Sequence, residues 1–254
     1  MISIEKIKQL SKELKQEVIE IRRHLHTHPE LSFHEFATSA YIAGQLANWN
    51  IEHQTGIAGT GIVAFIKGKN PEKKVVALRA DMDALPITEK NEVDYKSKQE
   101  GVMHACGHDV HSSSLLGTAK ILSALKDEFA GTIKLIFHPG EEKLPGGASI
   151  MIREGVLENP KPDVILAQHV FTQLSVGKTG FFAGKYMASS DEMYITVKGK
   201  GGHAAVPAGI INPLYTAARL LVELEKFSVE LAAAKIPTVL AFGKITGAGA
   251  TNVI

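Results

Sequence analysis

Disulfides are absent from the chemistry of this chain, because Cys106 is the single cysteine among its 254 residues. It is left as a buried thiol, a metal ligand or a nucleophile, and the cytoplasm is the expected compartment. A charge imbalance is lacking as well. With 28 Lys and Arg against 27 Asp and Glu, no basic field exists to attract nucleic acid or anionic lipid. No apolar run approaches the ~20 residues that span a bilayer. The N-terminus is charged and periodic from Ile4 onward, unlike the apolar core of a signal peptide. Repeats, low-complexity tracts and long linkers are also missing. What is present is a chain with 44% hydrophobic and 22% charged residues, able to bury a sizeable core as one large domain or two ordinary ones. A small molecule is the expected partner, and the eleven histidines are more informative than the net charge.

Apolar residues Ile7, Leu10, Leu14, Val18, Ile21 and Leu25 recur every three or four positions, which predicts an amphipathic helix over 4–25 that ends near Pro29. A second helical pattern covers 34–49. Glycines 56, 59 and 61 mark turns, and the apolar runs 62–66 and 75–80, separated by a polar turn at 68–73, predict an antiparallel hairpin. A helix follows over 112–129, then a strand over 132–138, a short helical piece near 150–153, and a buried strand over 164–168. Strands alternating with helices indicate an α/β fold, in which ligands gather beyond the carboxyl ends of strands. Asp81 and Asp83, Glu141 and Glu142, and His169 each follow such a strand. Beyond about Gly184 the pattern changes to strand (192–198), helix (213–227) and strand (237–245), which reads as a second, small domain over 185–254 after a first over 1–184. The chain then stops at Thr251-Asn-Val-Ile254 without a closing element, so it reads as incomplete.

The chemistry concentrates in a few clusters. Met103-His-Ala-Cys-Gly-His-Asp109 places Cys106 and His108 two apart around a glycine, and in an extended loop both face one side and can share a metal. His104, His111 and Asp109 fit a cap, a supporting partner or solvent exposure. Two adjacent carboxylates, Glu141 and Glu142, repel each other unless a cation or a shared proton relieves them. Metal hydrolysis supplies both, with one carboxylate on the ion and the other as general base. Asp81 and Asp83 sit in a post-strand turn, where an aspartate can orient a histidine ligand or complete the metal shell, an Asx turn being the competing reading. His203, in the glycine-rich stretch 199–207, can stabilise an oxyanion or belong to an ordinary surface turn. A thiol hydrolase built on Cys106 and His108, and a non-catalytic binding homologue, are the rival readings.

These residues resemble a known family, the metallopeptidases and amidohydrolases that include aminoacylase, carboxypeptidase G, hippurate hydrolase and indole-acetyl-amino-acid hydrolase. The likeness runs through Arg22–His26 with Pro29–Leu31, Arg79–Pro86, Met103–Asp109, Pro139–Glu142, Gln168-His169 and Gly202–Pro207. It implies a mixed-sheet α/β/α catalytic domain carrying an inserted small α+β, ferredoxin-like lid that also forms a homodimer. It implies two divalent ions, Zn or Mn with Co and Ni as alternatives, bridged by Cys106 and held by His108, Glu142 and His169. Glu141 is then the base, and Asp83 the supporting aspartate, preferred to Asp81 because Pro86 follows it by three. Asp81 takes a place often held by a metal-binding histidine. His203 and Asn252 would contact substrate. The cysteine-bearing motif favours the amidohydrolase branch, hence N-acyl amino acids cleaved by a metal-bound hydroxide, with dipeptides or peptides as the alternative substrates. The family's last metal-binding histidine has no counterpart after His203.

Overall fold

The computed structural model describes residues 3–187, 189–206, 208–234, 238–250 and 252–254. They fall into two compact units, Met1–Thr179 and Gly180–Ile254.

The first unit opens with helix α1 (Ile4–Thr27), capped by the Ser3 hydroxyl, which accepts the Lys6 N–H and so satisfies one of the helix's free donors. Helix α2 (Phe36–Asn48) gains its N-terminal partner from farther away: the Glu30 carboxylate accepts the N–H groups of Ala37 and Thr38. Five strands follow, β1 (Glu52–Ile57), β2 (Gly61–Lys67), β3 (Val75–Asp81), β4 (Thr132–His138) and β5 (Val164–Ala167), with helices α3 (His108–Ala124) and α4 (Gly147–Arg153) between the later ones. They form one mixed sheet in the order β1-β2-β4-β3-β5. Side chains alternate across it. Ile62, Ala64, Ile66, Leu135 and Phe137 pack under Ile21, Leu25, Ile42, Leu46, Leu116 and Ala119 of α1, α2 and α3. Val63, Ala77 and Ile136 face the other way, onto Met151 of α4 and Val156. Each fully buried Leu or Phe of this kind contributes about 1.5–3 kcal/mol.

Two expectations fail here. The runs 62–66 and 75–80 do not pair as a hairpin, because β4 lies between them, antiparallel to β2 and parallel to β3. Both runs are apolar on successive residues, so each can be an interior strand with two neighbours, and the polar loop between them carries no tight-turn signal. The hairpin is instead β1 with β2. There Ala58 and Gly59 both have positive φ, 52° and 91°, the sense of twist that tight hairpin turns need. The second correction concerns β5, which is exposed rather than buried, with Ile165 at 51% and Leu166 at 56%. It bonds to β3 alone, at the edge of the sheet, where the cover given by a second neighbour is absent.

Among its described residues the second unit contains one helix, α5 (Pro213–Ala233), with Pro213 in its first turn and the Asn212 side chain accepting the Leu214 and Tyr215 N–H groups. Among the described residues, 192–198 and 238–245 form no strand, contrary to the alternation in their sequence; residues 235–237 lie outside the described residues. Alternation marks a segment that suits a pleated surface, but a strand needs a ladder partner, and among the described residues of this unit only isolated bridges occur, Lys200 with Ile211 and His203 with Val253 among them.

Candidate metal centre

Strands β3, β4 and β5 run parallel, so their carboxyl ends lie side by side, and Asp81 stands in register with His138. Asp83 follows β3, Glu141 and Glu142 follow β4, and His169 follows β5. The loop 103–107 reaches the same edge because Met103 bridges to Leu85. Gly107, at φ 89°, turns that loop into α3, whose first residue is His108.

His108 is buried at 1% exposure. Its Nδ1 lies 3.2 Å from Asp83 Oδ1. Its Nε2 lies 3.7 Å from both Asp81 Oδ2 and Glu142 Oε1, too far for a hydrogen bond. All three atoms are buried; Asp81 Oδ2 pairs with Arg79 Nη1 at 2.8 Å, while His108 Nε2 and Glu142 Oε1 have no hydrogen-bond partner, a costly state unless something else occupies the space between them. Donors that share an ion at about 2.0–2.2 Å stand at the separation found between His108 Nε2 and Glu142 Oε1. Cys106 Sγ is 3.4 Å from His169 Nε2, and Cys106, His108 and His169 form one group of mutually close donor atoms, as do His108, Glu141 and Glu142. The donors present therefore fit a divalent cation.

The electrostatics follow from the same contacts. Burial disfavours an imidazolium at His108, but the Asp83 hydrogen bond, the contact with Cys106 and the charges of Asp81 and Asp83 outweigh it and push its pKa up to about 11. Burial likewise opposes charge on Asp81 and Asp83, yet both carboxyls are held below their usual range, Asp81 by His111 and Arg79 and Asp83 by His108 and Ser32. Glu141 moves the other way: partial burial and the adjacent charge of Glu142 raise it.

A surrounding set of residues fixes these groups. Asp83 Oδ2 accepts from the Ser32 hydroxyl at 2.6 Å and from the Glu142 N–H at 3.0 Å, so one carboxylate sets both a histidine and a glutamate. Arg79 lies 2.8 Å from Asp81 and donates to His138 Nδ1; burial and this cation lower His138 to about 4. Buried Glu35 accepts the N–H of Gly140 at 2.8 Å and the Thr60 hydroxyl at 2.7 Å. It thereby anchors the turn before Glu141, where a side chain on Gly140 would strike the Phe33 ring.

The structure thus brings Cys106, His108, Glu141, Glu142, His169, Asp81 and Asp83 to one edge. His203 and Asn252 lie in the second unit, side by side: the Ala204 N–H donates to the Asn252 carbonyl at 2.9 Å. Sequence reasoning left His111 open and missed Arg79, His138 and Glu35 as supports. It also missed a second buried network. In it His26 places Nδ1 2.8 Å from Asp109 Oδ2 and Nε2 3.1 Å from Glu89 Oε1, with Arg22 2.8 Å from Asp109. A usable signal existed for two of these, since His26 and Arg22 lie four apart on one face of α1.

Imidazole, thiol and carboxylate donors at the strand ends of a mixed sheet define the class of metal-centre α/β proteins. The chain belongs to the peptidase family M20/M25/M40, whose family model matches residues 77–248. It is 41% identical to the N-acyl-L-amino acid amidohydrolase of Geobacillus stearothermophilus over 98% of this chain and 67% of the relative. It is 40% identical to the N-acetyl-L-cysteine deacetylase of Bacillus subtilis over 95% of this chain and 57% of that protein. A crystal structure from methicillin-resistant Staphylococcus aureus matches with TM-score 0.76 and 34% identity, covering 99% of this chain and 66% of its own. A Bacillus subtilis structure described as a dinuclear metal binding peptidase matches with TM-score 0.61 and 41% identity, over 65% of this chain and 46% of that one. The chain spans between half and two thirds of the length of the curated relatives it matches.

Proposed function

We propose that the chain is a metal-dependent amidohydrolase that cleaves the amide bond of N-acyl amino acids, with dipeptides or peptides as the alternative substrates. The observation that carries this is the gathering of two groups of mutually close donor atoms on His108, one with Cys106 and His169 and one with Glu141 and Glu142, with His108 Nε2 and Glu142 Oε1 buried, 3.7 Å apart and without a hydrogen-bond partner. Two relatives whose names specify removal of an acyl group from an amino acid support the substrate class.

In this reading Cys106, His108, Glu142 and His169 hold two divalent ions, Zn or Mn, with Co and Ni as alternatives. Asp83 orients His108 through Nδ1, the arrangement by which a carboxylate fixes a ligating imidazole. Such ions polarise a carbonyl and ease deprotonation of water. Glu141 takes the proton from the attacking water and returns it to the leaving amine. Its raised pKa suits that exchange, because a proton shuttle works best when its pKa approaches the working pH. His203 and Asn252 are the substrate-contacting residues of the 185–254 domain, which serves as lid and dimerisation surface. A lone cysteine used as a ligand suits the cytoplasm.

Replacing Glu141 by Gln tests the assignment. Turnover of a panel of N-acyl amino acids should fall by about 10²–10⁴-fold, the usual worth of a general base, while Zn content by elemental analysis stays unchanged. Sedimentation of the same samples reports the dimer. Undiminished turnover would remove Glu141 from its role. Activity that survives chelation but not alkylation of Cys106 would favour the thiol hydrolase built on Cys106 and His108, which lie in one group of mutually close donor atoms.

A further inference from the structure

His111 is buried one turn into α3, and neither of its nitrogens is free for an ion. Nδ1 lies 2.6 Å from Asp81 Oδ1, and Nε2 accepts the backbone N–H of Val170 at 2.9 Å. A backbone N–H can only donate, so Nε2 carries the lone pair and the ring proton sits on Nδ1, directed at Asp81. His111 is therefore no ligand, although its atoms lie close to those of Asp81 and His108.

Its contacts lead to His169 instead. Val170 is held at three points. Its N–H is held by His111. Its carbonyl accepts His169 Nδ1 at 2.7 Å. Its side chain lies so close to Gly107 that a Cβ there would come within 2.4 Å of Val170 Cγ2. With Nδ1 of His169 spent on that carbonyl, Nε2 is the nitrogen left to face Cys106, 3.4 Å away. The His111 and His169 rings meet edge to face with centroids 4.5 Å apart. Little else fixes this segment, since β5 is exposed along its length.

From this geometry, and resting on the metal reading above, we infer that His111 is a positioning residue whose Nε2 latches the Val170 backbone N–H and so aims His169 Nε2 at the ion site. Asp81, itself fixed by Arg79, accepts the Nδ1 proton and so selects the tautomer that leaves Nε2 free to accept the Val170 N–H. The relevant chemistry is tautomer selection: each ring in the chain Asp81–His111–Val170–His169 is left with one defined donor and one defined acceptor.

Two isosteric substitutions separate the latch from plain packing. His111→Asn keeps a donor near the Nδ1 position, facing Asp81, but offers nothing to Val170. His111→Gln places an amide oxygen near the Nε2 position, where it accepts the Val170 N–H, and gives up the Asp81 bond. Zn²⁺ affinity, measured by competition with a chromophoric chelator, should fall about 10–100-fold in His111→Asn, the range expected for loss of a residue that supports a ligand. In His111→Gln it should stay near the wild-type value. In the ion-free protein, hydrogen exchange of the Val170 amide should accelerate in His111→Asn only. Equal losses in both variants, or wild-type affinity in His111→Asn, would overturn the inference. Should the wild-type chain take up no Zn²⁺, the reading of the site fails, and the Val170 exchange alone then decides whether the latch exists.

Discussion

His108 and His26 are both buried between carboxylates, and they illustrate two kinds of polar core. Each nitrogen of His26 has a partner, Asp109 on one side and Glu89 on the other, and Glu89 also accepts the Ser97 N–H and the Asn91 side chain. His108 uses only Nδ1, on Asp83, while Nε2 faces two carboxylate oxygens that it does not reach. Residues 108 and 109 are neighbours in the first turn of α3, and the helix's rotation sends one into each network. The His26 ring is fully paired, and its network ties α1 to α3 and to the loop around Glu89, with Asp109 Oδ1 left without a hydrogen-bond partner at its margin. At His108 it is the ring itself that lacks a partner. Buried polar groups stabilise when every atom is paired and destabilise when one is left over, and the leftover nitrogen of His108 faces carboxylate oxygens, the setting an ion would satisfy.

The sharpest way to break this comparison is to truncate each histidine. His108→Ala should reduce Zn²⁺ affinity by more than the roughly 10–100-fold that loss of a supporting residue causes. His26→Ala should leave Zn²⁺ affinity nearly intact but lower stability by about 3–5 kcal/mol, the cost of breaking a buried ion pair, toward the lower end because Arg22 remains beside Asp109. Chelator titration and denaturant melts measure the two, and the reverse pattern would undo the distinction.

A smaller effect comes with pH. In the ion-free chain the His108 proton is retained up to about pH 11, so an ion that takes Nε2 must displace it. Apparent Zn²⁺ affinity should then rise about tenfold per pH unit between pH 6 and 8, and a flat profile would show that no proton is exchanged. The stability sign is opposite. A raised histidine pKa stabilises the fold fully below the unfolded value of 6.5 and loses that contribution as pH climbs toward about 11, so the ion-free chain should weaken in alkali.

The least of the three is Gly107→Ala. A left-handed φ costs a residue with a side chain about 1–2 kcal/mol, and the added methyl would push on Val170. Thermal melts should show that modest loss with His26 chemistry unchanged, whereas full wild-type stability would mean the loop adjusts freely.

Much of the candidate site was legible because its chemistry sits at the ends of apolar strands, where a run such as Thr132–His138 announces where Glu141 must lie. Local pattern could not supply the order of strands: β2 and β3 are both apolar on successive residues, which allows each to be central without saying which neighbour it takes. Burial of β5 was misjudged for a similar reason, since apolar composition does not distinguish an edge from a centre. The role of His111 was illegible because its partners, Asp81 and Val170, are distant in sequence and one of them is a backbone N–H. The strands expected in 192–198 and 237–245 rested on alternation alone, with no ladder partner implied.

The exposed edge strand has a kinetic consequence. Backbone held on one side opens by local fluctuation at a fraction of the free energy that unfolds a core. His169 follows such a strand, while His108 is anchored at the base of a buried helix. Release of an ion would therefore begin at His169 and need no global unfolding, so that its residence time is set by the fraying of Val164–Ala167. Faster amide exchange at Ile165 than at Leu78 in β3 would show it.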